Sequence, residues 1–250
     1  MRRERARNRA IGLIEAWRHG LLAAVAWPVV LAVSAAAQEA PRDCLGVDFN
    51  VRHPVAVAKI IADRAQVHFV KNGGDDAACP AAGDACRRDA YVVPGDLVLI
   101  GKTYGAFTCV SYQSAQNPKP SWTNGWLAAS SMTPVAPARA PSRSDWIGDW
   151  SHGGGKIGIK PGRRGALLIR GEAFYAAAQN VHTGVVHATA KPAHGLLEFA
   201  DDGSAPFDQT SDDKGLCLVR MQRVERLLVV EDNSACGGVM VTFTGFYRRK

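Results

Sequence analysis

Three histidines and a group of aspartates in the last third of the chain have the residue types of a hydrolytic metal site. The histidines are His182, His187 and His194, and the aspartates are Asp201, Asp202, Asp208, Asp212 and Asp213. Imidazole and carboxylate groups bind catalytic zinc, but His182 and His187 differ by an odd number and would face opposite sides of a strand. The aspartates lack the D-x-D-x-D-G order of a calcium loop. We therefore predict surface histidines, a solvated loop over residues 201–215 and no bound metal, with a metal-dependent envelope hydrolase as the alternative.

A glycine-rich segment over residues 153–158 fits the pattern G-x-G-x-x-G, which binds dinucleotides where a strand turns into a helix. Residues 156–160 alternate as a strand does and Pro161-Gly162 follows, so the sequence predicts a hairpin turn here. The chain also contains no G-x-S-x-G nucleophile motif. We predict no catalytic residues, no cofactor and no enzymatic activity.

Six cysteines, an even number, predict disulfide bonds if the chain is exported. They are Cys44, Cys79, Cys86, Cys109, Cys217 and Cys236. Cys217 and Cys236 are alone in the C-terminal half, so we predict that they pair with each other. Cys79 and Cys86 bracket a short loop that closes easily, which leaves the other two to pair, although the connectivity of these four N-terminal cysteines stays open. A metal site is the weaker interpretation because the chain has no C-x-x-C pair.

Residues 1–37 have the organisation of a secretory signal peptide. Arginines precede an apolar run over residues 21–33, and the small residues 34–37 offer an A-x-A cleavage site before Gln38. The run contains Pro28 and is shorter than the ~20 residues of a spanning helix. We predict a periplasmic or secreted protein with oxidised cysteines and no stable membrane insertion after leader removal. An uncleaved membrane anchor is the alternative.

The positive charge of the chain is concentrated in this predicted leader. The whole chain has 30 Lys+Arg and 23 Asp+Glu. Residues 1–37 contain 6 of the basic residues and 2 of the acidic ones, so the rest of the chain has 24 basic and 21 acidic residues. The remainder has only short basic pairs such as Arg163-Arg164, whereas nucleic-acid binding needs a concentrated basic stripe. We predict no nucleic-acid partner.

Short strand patterns separated by turn residues run through the first half of the chain. Gly95-Asp96 enters an apolar strand, residues 107–112 form an aromatic-plus-valine strand, and Gly125-Trp126 comes just before the end. In these motifs the chain resembles bacterial Src-homology-3-type barrels. The resemblance covers residues 67–135 and departs from the family pattern at the Cys79–Cys86 loop and at an insertion over residues 113–123.

The resemblance implies a ligand groove, because such barrels commonly bind peptides or cell-wall glycopeptides through an aromatic groove. The candidate groove residues are Tyr104, Phe107, Trp122 and Trp126. Phe107 and Trp126 could equally belong to the core, whereas Trp122 lies beside prolines and is expected to be exposed.

The composition changes over residues 134–144, where three prolines with Ala, Ser and Arg are typical of a linker. We predict a Src-homology-3-like β-barrel domain over residues 44–133 and a second domain over residues 145–250. The second domain has about eight strand patterns, the last over residues 239–247, which predict an antiparallel barrel or sandwich. Its opening Trp146-x-Gly-x-Trp150 is similar to the first strand of lipocalin-like barrels. The predicted fold is thus all-β, with short helices expected over residues 56–65 and 172–180.

Taken together, these patterns predict a non-catalytic exported binding protein of the cell envelope. Its expected partner is a peptide, a protein or a cell-wall glycan such as peptidoglycan. A secreted inhibitor of a hydrolase is a further alternative, because small disulfide-tied β barrels also serve that role.

Overall fold

The computed structural model describes residues 42–114, 121–177, 179–201, 206–209 and 215–250. The predicted leader, residues 1–37, lies outside the described residues. Fifteen strands in two sheets make up about half of the described chain, and the described helices are all short, so the all-β prediction is confirmed. Residues Ala40–Lys250 form one compact unit.

The first sheet has seven strands. They are β1 (Ala56–Ile60), β2 (Val67–Val70), β3 (Arg87–Val92), β4 (Leu97–Tyr104), β5 (Phe107–Gln113), β6 (Trp122–Ala128) and β7 (Met132–Val135). Their order in the sheet is β3-β2-β6-β5-β4-β1-β7, with antiparallel pairing throughout. Alternating apolar residues such as Phe69, Val98, Val110 and Leu127 form its core.

The second sheet has eight strands and follows one short helix, α1 (Arg143–Trp146). The strands are β8 (Gly148–His152), β9 (Gly155–Pro161), β10 (Leu167–Ala176), β11 (Val181–Ala190), β12 (Leu196–Ala200), β13 (Leu218–Val224), β14 (Leu227–Asp232) and β15 (Gly245–Arg249). The order is β11-β10-β9-β8-β15-β14-β13-β12. The two end strands lie beside each other, and the His187 N–H donates to Asp201 Oδ1 (2.6 Å) across the remaining gap. The sheet is therefore a nearly closed barrel.

The interior of the barrel is filled by its own side chains. Inward residues of β8, β9 and β10, including Trp150, Ile157 and Ile169, are almost fully buried. Val241 and Phe243 pack among them, although they lie outside any strand. The strand expected over residues 239–247 is therefore wrong in its first half: Val239 and Met240 are exposed, and Val241 and Phe243 turn inward as a plug instead of pairing in the sheet.

Two further sequence expectations are corrected. Residues 56–60 form β1 instead of a helix, because they pair with β4 on one side and β7 on the other. Residues 172–176 form the end of β10, where they pair with β11. Neither segment has the sustained apolar period of a helix, and the pairing partners available in the sheet decided the outcome.

Three disulfides tie the described chain together, and no described cysteine is free. They are Cys44–Cys109, Cys79–Cys86 and Cys217–Cys236. The pairing of Cys217 with Cys236 is the expected one, and the pairing left open for the N-terminal cysteines is now defined.

The two sheets pack against each other through a shared apolar cluster. Its buried members are Val57 and Leu99 from the first sheet, Val55 just before β1, and Val224, Leu227, Val229 and Phe246 from the barrel. Hydrogen bonds cross the same junction: Gln222 Nε2 donates to Val55 O (2.8 Å), and the Val55 N–H donates to Glu231 Oε2 (3.1 Å). This junction explains why β13 and β14 are buried on both faces.

Candidate functional site

A cleft of about 1120 Å³ opens on the first sheet, and we call it the sheet cleft. Five stretches of chain line it. They are residues 61–64 after β1, strand β2, residues 81–84 together with Arg87, Ala106 with Phe107 at the start of β5, and Ala128, Ser130 and Ser131. Ligand sites in proteins are typically concave and of this order of size, about 300–1,000 Å³. The sheet cleft is therefore the candidate functional site.

The cleft exists because β2 and β6 separate soon after they meet. They pair at a single position, Val70 with Trp126. Strand β6 then ends at Ala128, whose carbonyl accepts a hydrogen bond from Ser131 Oγ (2.6 Å) as the chain turns away. The lining is rich in Ala, Gly and Ser, so little side-chain volume fills the space between the strands.

One wall of the cleft is a short loop tied by the Cys79–Cys86 disulfide, which spans a sequence separation of 7. The loop is also fastened to the end of β2. The Lys71 N–H donates to Cys86 O (2.7 Å), and Lys71 Nζ donates to Ala85 O (2.7 Å). A wall held by a covalent bond and by hydrogen bonds is preformed, which lowers the entropic cost of binding a ligand.

Charged groups of both signs stand around the cleft. Asp63 and Arg64 lie on one side, and Asp84 and Arg87 on the disulfide loop. The Arg87–Asp84 ion pair is long (3.7 Å) and well exposed, so it contributes little to stability and leaves both groups able to contact a ligand. The cleft therefore presents both acidic and basic side chains at its edge.

His68 is the histidine that lines the cleft. Its Nδ1 lies 2.9 Å from Arg88 O, so Nδ1 carries a proton and donates to that carbonyl. The imidazole also contacts the Tyr91 ring, with centroids 5.7 Å apart. These contacts hold the imidazole in one orientation within the cleft lining.

The structure brings together three of the four sequence-predicted groove residues. Phe107 lines the sheet cleft and is half-buried. Tyr104 and Trp126 pack behind it, with ring centroids 6.2 Å apart, against the Cys44–Cys109 disulfide. Trp126 is fully buried and its indole N–H donates to Arg42 O (2.8 Å). Trp126 is therefore a core residue, as the alternative interpretation had it, and offers no face to a ligand.

Trp122 lies elsewhere and is half-buried instead of exposed. It packs in the junction between the two sheets, with ring centroids 5.5 Å from Phe49 and 6.0 Å from Phe246. Part of the predicted 113–123 insertion, residues 115–120, lies outside the described residues. Trp122 and Thr123 themselves belong to β6, and the packing of Trp122 against Phe49 and Phe246 keeps its ring from projecting into solvent.

Sequence reasoning missed most of the cleft lining. Residues 61–64 and 81–84 carry no recognisable binding motif, and only the short Cys79–Cys86 loop gave a sign that this region has a fixed conformation. Small residues such as Ala81, Ala82 and Gly83 indicate available space only once the fold is known.

The histidines of the barrel are separated from one another. His187 lies on the outer face of β11, whereas His182 Nδ1 is hydrogen-bonded to Val239 O (2.6 Å). Asp202, Asp212 and Asp213 lie outside the described residues. Among the residues that are described, no group of three or more His, Cys, Asp or Glu is placed to hold a metal ion.

Within the described ranges, no helix has both the length and the apolar character needed to cross a bilayer. The chain matches no protein-family model, no curated protein and no solved structure.

Proposed function

We propose that this protein is an exported, non-catalytic binding protein of the cell envelope that holds a peptide or glycopeptide segment in the sheet cleft. The observation that carries the proposal is the preformed cleft of about 1120 Å³ between β2 and β6. Its mixed charges and small lining residues favour a ligand that brings its own side chains and backbone polar groups.

Three disulfides indicate an oxidising, extracytoplasmic environment. The leader pattern over residues 1–37 supports a periplasmic or secreted location. Such a location gives the protein access to envelope peptides and to peptidoglycan.

The resemblance to Src-homology-3-type barrels adds support. Residues 67–135 consist of short antiparallel strands, and Phe107, one of the residues that the resemblance selects, lines the cleft. The aromatic groove of that family would correspond here to a cleft lined by Phe69 and Phe107, of which Phe69 is fully buried. We therefore expect polar contacts to contribute more than ring stacking.

A cleft-filling variant tests the proposal. The probes are a soluble disaccharide-tetrapeptide from peptidoglycan and peptides selected on the purified protein from a random displayed library. Ala82 is exposed on the cleft wall, so Ala82→Trp fills the cleft without burying new surface in the core. We expect this variant to bind at least about tenfold more weakly than the wild type by calorimetry.

Ala177→Trp is the matched control, because Ala177 is an exposed alanine at the end of the β10–β11 hairpin. It should bind as the wild type does. Equal affinity of all three proteins, or no binding of either probe to the wild type, would contradict the proposed function.

A further inference from the structure

A second pocket, of about 570 Å³, lies at the junction of the two sheets and is separate from the sheet cleft. The segment 48–51 before β1 forms one side and Trp122 at the start of β6 another. The third side is closed by Asp232 at the end of β14, by the turn residues 233–234 that follow it, and by Thr242 and Thr244. We call this space the junction pocket.

Two aromatic rings form a corner of the junction pocket. The Phe49 and Trp122 centroids are 5.5 Å apart and the ring planes are inclined at 47°. Trp122 is held from behind by Phe246, at 6.0 Å, and Phe49 is 36% exposed. Ring faces carry partial negative charge, so a fixed aromatic corner attracts a cation.

A buried carboxylate lies on the opposite side. Asp232 is only 3% exposed, and its four donors among the described residues are neutral groups. Its Oδ1 accepts from Thr242 Oγ1 (2.8 Å), Thr244 Oγ1 (3.2 Å) and the Ser234 N–H (3.2 Å), and its Oδ2 accepts from the Phe243 N–H (2.7 Å). Neutral donors hold the carboxylate in place but do not cancel its charge.

The charge of Asp232 acts on its surroundings. The pKa of Tyr247 is raised well above its ordinary value, first by burial and then by the negative charge of Asp232. Asp48 adds a second carboxylate at the exposed rim. No Lys, Arg or His is among the described residues that line the pocket, so its charged lining side chains are the two carboxylates of Asp48 and Asp232.

We propose that the junction pocket binds an alkylammonium group, with the cation against the Phe49 and Trp122 faces and the carboxylates of Asp48 and Asp232 nearby. An anionic ligand would meet two like charges. A purely apolar ligand would desolvate the rim carboxylate without compensation. An organic cation satisfies both the rings and the carboxylates, and this combination recurs where proteins recognise quaternary ammonium groups. The site is independent of the sheet cleft.

Choline and its neutral isostere 3,3-dimethyl-1-butanol are the probes that test this assignment. The two molecules have the same shape and differ in charge, so the comparison isolates the electrostatic contribution. We expect choline to shift the Trp122 indole resonance of the full-length protein and to bind about tenfold or more tightly than the isostere. Methylammonium, measured in parallel, distinguishes a primary amine from a quaternary ammonium group as the preferred form.

Two variants remove the proposed contacts without touching the core. Asp48→Asn removes the rim charge, and Phe49→Leu keeps an apolar side chain while removing the ring. Each should weaken choline binding several-fold, whereas Asp63→Asn and Ala82→Trp in the sheet cleft should leave it unchanged. Equal affinity for choline and the isostere, no effect of Asp48→Asn, or no shift of Trp122 at about 50 mM choline would overturn the proposal.

Discussion

Burial changes the protonation of two side chains, Glu231 and His152, in opposite directions. Glu231 lies in the junction between the sheets with 1% exposure, and burial raises its pKa to about 7. The Val55 N–H and the charge of Arg220 oppose this shift but do not cancel it. Burial likewise lowers the pKa of His152 to about 4. Each side chain is therefore uncharged over a range of pH in which the same group in water would be charged.

Glu231→Gln should make the protein more stable at alkaline pH. Since the folded pKa of Glu231 is raised, folding is favoured fully below the unfolded pKa of 4.5 and loses stability as the pH rises towards 7. The shift corresponds to about 3 kcal/mol. Urea unfolding at pH 4.5 and pH 8 should show that Glu231→Gln lacks this loss. The exposed Glu172→Gln is the control, and an unchanged pH profile in Glu231→Gln would contradict the assignment.

His152 should remain neutral until the solution is strongly acidic. Its Nδ1 accepts a hydrogen bond from the Gly154 N–H (3.2 Å), and its ring meets Tyr247 edge to face at 4.3 Å. A depressed folded pKa means that the stabilisation is present above the ordinary value of 6.5 and is lost as the pH falls towards 4. A proton titration of the His152 ring by NMR should give a midpoint near 4. A midpoint near 6.5 would show that the ring is solvated.

At the scale of elements, close backbone contacts hold the plug inside the barrel. A Cβ on Gly184 of β11 would lie 2.3 Å from Cys236 O and 2.9 Å from Val241 Cγ1. Only glycine at this position lets the disulfide-tied turn approach the strand.

Gly184→Ala should therefore lower the free energy of unfolding by about 3 kcal/mol. Gly101→Ala on β4 is the matched control, because a Cβ there meets Val47 Cγ2 at an ordinary 3.4 Å. Urea unfolding of both variants measures the difference. Equal stabilities would mean that the plug moves aside without loss.

The two N-terminal disulfides should contribute differently to stability, because the loops that they close differ in length. Cys44–Cys109 has a sequence separation of 65 and Cys79–Cys86 one of 7. From loop entropy alone, replacing both cysteines of Cys44–Cys109 by alanine should lower the free energy of unfolding by about 4 kcal/mol. The same change at Cys79–Cys86 should lower it by about 2.5 kcal/mol. Chemical unfolding of the two double variants tests the ranking, and a larger loss for Cys79–Cys86 would reverse it.

Strands were the elements that the sequence predicted best. Residues 67–70 alternate in burial as expected for β2, because period-two patterning reports directly on a half-buried strand. The helix predicted over residues 56–65 was wrong. Ala and Lys are compatible with a helix, and only the pairing of β1 with β4 and β7 excludes one. The plug residues Val241 and Phe243 looked like a strand because buried irregular chain has the same apolar composition.

The candidate site was harder to predict than the strands, because residues that are distant in the sequence form it. The resemblance selected aromatic residues, but Trp126 packs in the core against the Cys44–Cys109 disulfide, where Arg42 O satisfies its indole N–H. The cleft itself arises where β2 and β6 separate beyond their single pair, Val70 with Trp126, and no local pattern encodes that separation. Trp122 was chosen for a groove and instead marks the junction pocket.

At the scale of the whole molecule, the junction joins both sheets into one compact unit. Amides of β5 and β14 should therefore exchange with the same free energy of opening. Val57→Ala, in the shared apolar cluster, should lower both values by about 2 kcal/mol. The exposed Val181→Ala should change neither. Loss of protection in β5 alone would show that the sheets open independently.

The most direct test of the account is a map of amide chemical-shift changes on adding the selected peptide or the disaccharide-tetrapeptide. We expect changes that cluster at residues 61–64, 67–70, 81–87 and 128–131, and that disappear in Ala82→Trp. Changes confined to the barrel surface, or the same changes in Ala82→Trp, would contradict the assignment of the sheet cleft as the binding site.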